Sequence, residues 1–205
     1  METPKALNKS ELSELCRVFG IHLTPGRGQN FLIETPVLEI LAEITVPDSG
    51  LCVLELGAGA GNWTQFLATR ADKVYALEID RKVFSILCQR VGDLPGVEPV
   101  HADVLRFDFK QFFAERAEKR FVIAGNLPYN ISSPILFMFI ELYRLLKEPP
   151  FERACVMVQK EVAGRMAAGA GSKQYSRLSA MLAYYGRVTL ERRVGRRCFF
   201  PVPKV

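Results

Sequence analysis

The stretch LCVLELGAGAG, residues 51–61, decides the fold class of this chain. Six mostly apolar residues, 51–56, are followed by glycines at three alternate positions, Gly57, Gly59 and Gly61. An apolar run of this length fits a strand that is buried on both faces. The glycine turn then fits the opening of a helix. This order predicts the first strand and helix of a parallel sheet.

Four further apolar runs along the chain repeat this pattern, and helix-length stretches separate most of them. They are residues 73–79 (KVYALEI), 96–102 (GVEPVHA), 120–125 (RFVIAG) and 153–159 (RACVMVQ). Apolar strands that alternate with helices predict the α/β class: a doubly wound, mostly parallel sheet with helices on both faces. In such sheets the ligand binds at the carboxyl ends of the strands.

The segment before the first strand carries two helix signals. Ser10 is the predicted N-cap of a helix over 11–19, and the Thr35-Pro pair predicts a second helix through about Ile44. Residues 23–32, LTPGRGQNFL, are too rich in glycine and polar groups for either element. We expect them to form either a functional loop or a flexible linker.

The overall composition excludes several classes of protein. With 205 residues the chain can bury one sizeable core, and it has no run of about 20 apolar residues that could span a bilayer. Its first residues lack the apolar core of a secretory signal, so we expect a cytoplasmic protein. Five scattered cysteines and two histidines form no recognisable zinc pattern. We therefore predict no metal and reduced cysteines.

A basic stretch lies near the carboxyl terminus. Residues 186–204 carry six cationic side chains against one glutamate, in a chain whose net charge is +5. Such a cluster suits a phosphate backbone, and its alternative is a solvated basic loop.

Acidic residues follow the second and third strands, behind the glycine turn. The dinucleotide fingerprint G-x-G-x-x-G requires glycine at position 62, where this chain has Asn62. Glu78 can accept hydrogen bonds from ribose hydroxyls, and Asp103 can accept one from an adenine amine. Either acid alone is more often a helix cap. Two such acids behind a glycine turn predict an adenosine-containing ligand, and S-adenosylmethionine fits.

A polar and aromatic turn, AGNLPYNISS, occupies residues 124–133 after the fourth strand. Asn126 offers an amide carbonyl, Pro128 stiffens the backbone and Tyr129 presents a flat ring, so the turn can hold a planar group that bears an amine. The alternative is a simple turn in which Tyr129 packs on the core.

These motifs together resemble the ribosomal RNA adenine dimethyltransferase family called KsgA. The resemblance runs from about Gly26 to Val205 and depends on GQNFL, NLPYNIS and FFPVPKV, together with the glycine turn. It implies a Rossmann-like class I methyltransferase domain over 26–205, with residues 1–25 as a helical extension. The related macrolide-resistance methyltransferases of large-subunit RNA usually have Ile at the position of Leu127 and lack a proline like Pro134. Those two positions favour a small-subunit enzyme.

The resemblance also implies the residues that bind the cofactor. Glu78 would hold the ribose, Asp103 the adenine and Gly57 the amino-acid end of S-adenosylmethionine. The full implied set is Gln29, Asn30, Leu32, Gly57, Gly59, Gly61, Glu78, Ile79, Asp103, Val104 and Asn126.

The implied catalytic residues act on the exocyclic amine of adenine, and they are Asn126, Leu127, Pro128, Tyr129, Phe199 and Phe200. The Asn126 side-chain carbonyl and the Leu127 backbone carbonyl can each accept one N6 hydrogen. Tyr129 can stack on one face of an extruded base, and Phe199 or Phe200 can close the other. The alternative for the two phenylalanines is core packing near the sheet edge.

The implied activity is two successive methyl transfers from S-adenosylmethionine to N6 of adenines in small-subunit ribosomal RNA, by a monomer acting on the immature subunit. The predicted RNA-binding residues are Arg27, Arg192, Arg193, Arg196 and Arg197. The family continues beyond FFPVPKV into a last strand and a small helical domain, so we expect a truncated sheet, a mobile 199–200 segment and weakened RNA docking. Two alternatives are a large-subunit methyltransferase and a non-catalytic RNA-binding assembly or transcription factor. A dehydrogenase is disfavoured by Asn62.

Overall fold

The computed structural model describes residues 3–21, 30–116, 119–146 and 150–203. The strands are β1 (Phe31–Leu32), β2 (Leu51–Leu56), β3 (Lys73–Glu78), β4 (Val97–His101), β5 (Arg120–Asn126), β6 (Arg153–Met157) and β7 (Phe199–Phe200). Each of the five strands predicted from apolar runs is present, with bounds that differ by two residues or fewer.

The helices of the described residues alternate with these strands. They are α1 (Lys9–Val18), α2 (Thr35–Thr45), α3 (Asn62–Ala68), α4 (Arg81–Val91), α5 (Phe109–Ala114), α6 (Ser132–Leu145), α7 (Lys160–Met166) and α8 (Arg177–Tyr185), with 3-10 turns at Val104–Arg106 and Arg196–Cys198. Among them no helix has the length and apolarity needed to cross a bilayer.

The main sheet has the order β4-β3-β2-β5-β6, and all its described neighbours are parallel. The chain builds outward from β2 to β4 and then returns to place β5 on the other side of β2. This reversal makes a switch point at the carboxyl ends of β2 and β5, where open α/β sheets bind ligands. The predicted α/β class is confirmed. Gly57, after β2, and Asn126, at the end of β5, both lie at this switch point.

A second, two-stranded sheet joins the two ends of the domain. β1 and β7 are antiparallel, with Phe31 opposite Phe200 and Leu32 opposite Phe199. The prediction of a loop over 23–32 is therefore wrong for Phe31 and Leu32, because backbone pairing with β7 extends them. Residues 22–29 lie outside the described part of the chain.

The first helix begins earlier than predicted. Asn8, not Ser10, is the N-cap of α1: its side chain accepts from the backbone amides of Ser10 and Glu11, and the Glu11 carboxylate accepts from the Asn8 amide. This reciprocal capping box satisfies the amides that a helix start leaves without partners. The second helix begins at Thr35 with Pro36 in its first turn, as predicted.

Apolar side chains cover both faces of the main sheet. On one face an aromatic cluster that includes Phe112, Phe121 and Phe151 packs beneath α5 and α6. On the other face, β2 and β5 side chains pack beneath α2 and α3. Because both faces are covered, the strands are nearly continuous apolar runs, and an acid such as Glu55 within β2 is an exception that requires a local explanation.

Candidate functional site

The glycine turn after β2 combines one open position with two packed ones. Gly57 has φ +70°, and a Cβ built on it meets nothing within 4 Å. A Cβ on Gly59 would lie 3.0 Å from the Phe31 ring, and one on Gly61 would lie 2.9 Å from Val91. Gly57 therefore leaves room for a ligand beside the backbone. Gly59 and Gly61 allow close packing with β1 and α4.

Glu78, at the end of β3, is a buried carboxylate that holds the glycine turn. Its Oε2 accepts from the Gly59 amide at 2.9 Å, and its Oε1 accepts from the amides of Ile79 and Asp80 at 2.9 Å each. Burial raises the pKa of Glu78, whereas these three hydrogen bonds oppose the shift. A carboxylate offers about four lone pairs, so one remains on Oε2 for an external hydroxyl group.

Asp103, the acid predicted to contact adenine, also caps a local turn. Asp103 Oδ1 accepts from the Leu105 amide at 2.9 Å, which makes Asp103 the N-cap of the 3-10 turn. Val104 is buried in the aromatic cluster, whereas the Ile79 side chain is 58% exposed at the same edge of the sheet. The cap interpretation therefore holds for Asp103, and its contact with adenine stays a prediction.

Asn126 is held in one orientation by the segment before β1. Its Nδ2 donates to the Asn30 backbone carbonyl at 2.7 Å. Because that carbonyl can only accept, the amide nitrogen must face it, and Oδ1 is the side-chain acceptor that remains. The next residue, Leu127, donates its amide to the Met157 carbonyl and buries its side chain. The structure therefore brings Asn30, from the GQNFL motif, into direct contact with Asn126 of NLPY.

Pro128 and Tyr129 shape the turn that follows. The Pro128 carbonyl accepts from the amides of Ile131 and Ser132, which closes the turn into α6. Tyr129 is partly exposed, belongs to none of the hydrophobic clusters of the described residues, and has a pKa raised by partial burial. Its ring is not part of the core in the described structure, which leaves it available for stacking.

A cavity of about 40 Å³ lies at the switch point, and neither Glu78, Asp103 nor Tyr129 is among the described residues that line it. Its walls include Asn30, Gly57, Asn126 and two residues that the sequence analysis did not select, Glu55 and Trp63. The other lining residues are Phe31, Leu32, Ala58, Gly59, Ala60, Asn62 and Met157. Trp63 is 4% exposed, and its indole nitrogen has no hydrogen-bond partner among the described residues.

Glu55 is a buried acid in the centre of the sheet. Its side chain is 2% exposed, and Thr64 Oγ1 donates to Oε2 at 2.6 Å. Burial raises the pKa of Glu55 to about 8, so its carboxyl group is mainly neutral at pH 7. The sequence offered one signal for it, an acid inside an apolar strand, but its partner Thr64 becomes visible only when α3 packs on β2.

The segment at Phe199 and Phe200 is anchored, contrary to the expected mobility. Pairing with β1 fixes it, and the Ile33 amide donates to the Cys198 carbonyl at 2.9 Å. Phe199 packs with the cluster beneath α2 and α3, and Phe200 packs with the cluster that contains Leu12. Both rings are partly buried, which fits the packing alternative. Their stacking on a base stays a prediction.

The predicted RNA-binding arginines form an exposed run immediately before β7. All four described members, Arg192, Arg193, Arg196 and Arg197, are exposed. The arginine run directly precedes β7 in the chain, β7 pairs with β1, and both residues of β1 line the cavity. The run is therefore connected to the site through β7. The two remaining predicted site residues, Arg27 and Gln29, lie outside the described residues.

Several curated relatives and solved structures are similar to this chain. Curated relatives named "Ribosomal RNA small subunit methyltransferase A" include one from Alkaliphilus metalliredigens, 36% identical over 98% of this chain and 69% of its own length. Another, from Geobacter metallireducens, is 40% identical over 91% of this chain and 66% of its own length. The chain thus spans about two thirds of the length of these relatives.

Two crystal structures match with TM-scores of 0.70. One is a dimethyladenosine transferase from Plasmodium falciparum, 31% identical, which covers 85% of this chain and 60% of that protein. The other is the 23S rRNA methyltransferase ErmE, 32% identical, which covers 85% of this chain and 66% of that protein. The profile of the family described as "Ribosomal RNA adenine dimethylase" matches residues 24–205. By this match, the chain belongs to the ribosomal RNA adenine dimethylase family.

Proposed function

We propose that this chain binds S-adenosylmethionine and transfers its methyl group to N6 of adenines in small-subunit ribosomal RNA, twice per adenine. The observation that carries the proposal is the hydrogen bond from Asn126 Nδ2 to the Asn30 carbonyl, 2.7 Å long. This hydrogen bond fixes the orientation of the Asn126 amide, so that Oδ1 is the acceptor available at the edge of the cavity. The curated relatives named as small-subunit methyltransferases support the choice of RNA.

The residues present fit an adenosylated sulfonium cofactor. The open side of Gly57 admits a ligand against the backbone, and Glu78 keeps one lone pair for a ribose hydroxyl. Asp103 stands at the end of the neighbouring strand and exposes part of its carboxylate. S-adenosylmethionine, when bound, supplies an electrophilic methyl group.

Residues of the NLPY turn would act on the amine of the target base. The nitrogen lone pair of an adenine amine is delocalised into the ring, so the nitrogen must become tetrahedral before it can attack. Asn126 Oδ1 and the Leu127 carbonyl can each accept one N6 hydrogen, which favours that geometry. Tyr129 can hold the ring by stacking, which contributes about 1 to 3 kcal/mol per base.

A large-subunit target is the second candidate, favoured by the similarity to ErmE. The proposal also includes a cytoplasmic monomer that acts on the immature small subunit. A non-catalytic RNA-binding factor is the alternative from another class. It is disfavoured by the intact Asn126–Tyr129 turn.

The test is a methyl-transfer assay with labelled S-adenosylmethionine on unmethylated small subunits, on large subunits and on free RNA of each. We expect dimethyladenosine in small-subunit RNA, with the methylated nucleotides mapped by reverse transcription. Labelling of large-subunit RNA alone would support the second candidate. Cofactor binding without transfer to any substrate would support the non-catalytic factor.

A further inference from the structure

The glycine turn has a second support in addition to Glu78. Arg90, in the last turn of α4, donates from Nη1 to the Ala60 carbonyl and to Asn62 Oδ1, the latter at 2.9 Å. Its Nη2 donates to the Lys5 carbonyl at 3.2 Å. The guanidinium group therefore connects the turn to α4 and to the segment that precedes α1.

Asn62 uses its complete hydrogen-bonding capacity at the same place. Oδ1 accepts from the Leu7 amide as well as from Arg90, each at 2.9 Å. Nδ2 donates to the Leu32 carbonyl at 2.7 Å and to the Leu7 carbonyl at 3.4 Å. An amide side chain has two acceptor sites and two donors, and all four are occupied here.

The charge of Arg90 is unusual for its surroundings. Partial burial lowers the pKa of Arg90 to about 10, and within the described residues it makes no ion pair. The negative charge of Glu11 opposes this shift, because it favours the protonated form of Arg90. A partly buried cation without a carboxylate partner costs free energy, so its three oxygen acceptors must offset that cost. Two of the three are backbone carbonyls.

We propose that Arg90 and Asn62 are positioning residues of the cofactor site, which fix the glycine turn against β1 and the segment at residues 5–7. Glu78 holds the turn through the Gly59 amide, and Arg90 holds it through the Ala60 carbonyl. Asn62 Nδ2 connects the turn to the backbone carbonyl of Leu32, which is one of the residues that line the cavity. Preorganisation by these contacts removes an ordering cost from ligand binding. The inference rests on the proposed use of S-adenosylmethionine.

The decisive variant is Arg90→Met, which keeps much of the length of the side chain and removes its donors. S-adenosylhomocysteine, the demethylated product, is the probe, and calorimetry gives its Kd. For Arg90→Met we expect the Kd to rise about tenfold or more. The rise should be smaller for Arg90→Lys, which keeps the charge and a single donor group in place of the guanidinium fork. Arg81→Met, an exposed arginine in the first turn of the same helix, should leave the Kd unchanged.

Hydrogen exchange without ligand separates positioning from general stability. In Arg90→Met the amides of Ala58 and Gly61 should exchange faster, while those of Val53 and Val122 in the central strands keep their protection. Asn62→Ala should act on the same amides, and the two changes should be less than additive because they remove parts of one network.

Each outcome has a defined meaning. An unchanged Kd together with unchanged exchange in the turn overturns the inference. Uniformly faster exchange across the sheet also overturns it, because Arg90 would then only stabilise the fold. If the wild-type chain fails to bind the probe, the proposed function fails, and the exchange data still decide whether Arg90 orders the turn.

Discussion

Thr64 Oγ1 donates a hydrogen bond of 2.6 Å to the carboxyl group of Glu55, in the interior of the protein and beside the candidate cofactor cavity. Thr64 is fully buried and lies on α3. The contact fixes one oxygen of Glu55. Burial and the nearby charge of Glu78 favour the neutral carboxyl group, and they raise its pKa from an ordinary 4.5 to about 8.

The raised pKa of Glu55 predicts a dependence of stability on pH. Between about pH 4.5 and pH 8 the folded chain keeps a proton on Glu55 that the unfolded chain releases, so the free energy of unfolding falls as the pH rises through that window. Glu55→Gln, which mimics the neutral acid, should remove this dependence. Urea unfolding at several pH values measures it, with the exposed Glu39→Gln as control. Parallel pH profiles for wild type and Glu55→Gln would contradict the prediction.

Replacement of Glu78 should weaken cofactor binding. Glu78→Ala removes the acceptor proposed for ribose and releases the Gly59 amide, so the Kd for S-adenosylhomocysteine should rise roughly tenfold to a hundredfold. Calorimetry measures this, and Glu98→Ala on the adjacent strand controls for the loss of one negative charge. Unchanged affinity in a folded Glu78→Ala variant would show that neither the ribose contact nor the hydrogen bond to Gly59 contributes to cofactor binding.

Much of the fold could be predicted because its signals are local. The five sheet strands are apolar runs that end in turn residues, and parallel strands bring their carboxyl ends to one edge. Gly57, Glu78, Asp103 and Asn126 each follow or end such a run, so the sequence predicted their shared edge. The chemistry proposed for Asn126 rests on the NLPY turn and stays a prediction.

The remaining features depend on contacts between distant residues. Phe31 pairs with Phe200 in strands of only two residues, which are too short to leave a periodic pattern. In the sequence Asn62 stands out only as a departure from a glycine fingerprint, whereas in the structure its Oδ1 accepts from Arg90, 28 positions away. The cap at Asn8 is different, because the Asn8 and Glu11 spacing was a readable capping box that the sequence analysis missed.

Replacement of Asn126 should separate binding from chemistry. Asn126→Ala removes the acceptor proposed for the N6 hydrogen, so methyl transfer should fall a hundredfold or more while the Kd for cofactor changes far less. Single-turnover assays on small-subunit RNA measure the first quantity and calorimetry the second. Asn130→Ala, an exposed residue of the same turn, is the matched control. Near-normal transfer by Asn126→Ala would refute the amine contact.

Removal of the exposed arginines should weaken RNA binding without affecting the cofactor. For Arg192→Ala combined with Arg193→Ala, we expect weaker binding to every RNA sequence tested. The dependence on salt should become shallower, by about one unit of slope for each phosphate that the variant no longer neutralises. Binding titrations between low and moderate salt measure both effects, and Lys110→Ala provides an exposed control on α5. If the salt dependence of the double variant equals that of wild type, the basic stretch is a solvated loop.

The two phenylalanines of β7 allow their packing and stacking roles to be distinguished. Phe200 packs in the cluster that contains Leu12 of α1, and Phe199 packs in the cluster beneath α2 and α3. Phe199→Ala and Phe200→Ala should therefore each lower the free energy of unfolding by about 1 to 3 kcal/mol. Leucine at either position preserves much of the apolar contact but cannot stack on a base as an aromatic ring does. A purely packing role therefore predicts that Phe199→Leu and Phe200→Leu keep both stability and methyl transfer. A stacking role predicts wild-type stability with transfer lowered roughly tenfold, which corresponds to about 1.4 kcal/mol.

Because pairing with β1 already orders this segment, we expect the packing result for Phe200, whose ring contacts the α1 cluster. Thermal unfolding and single-turnover transfer, measured on the same four variants, decide between the two roles, and a stable Phe200→Leu variant with strongly reduced transfer would overturn this expectation.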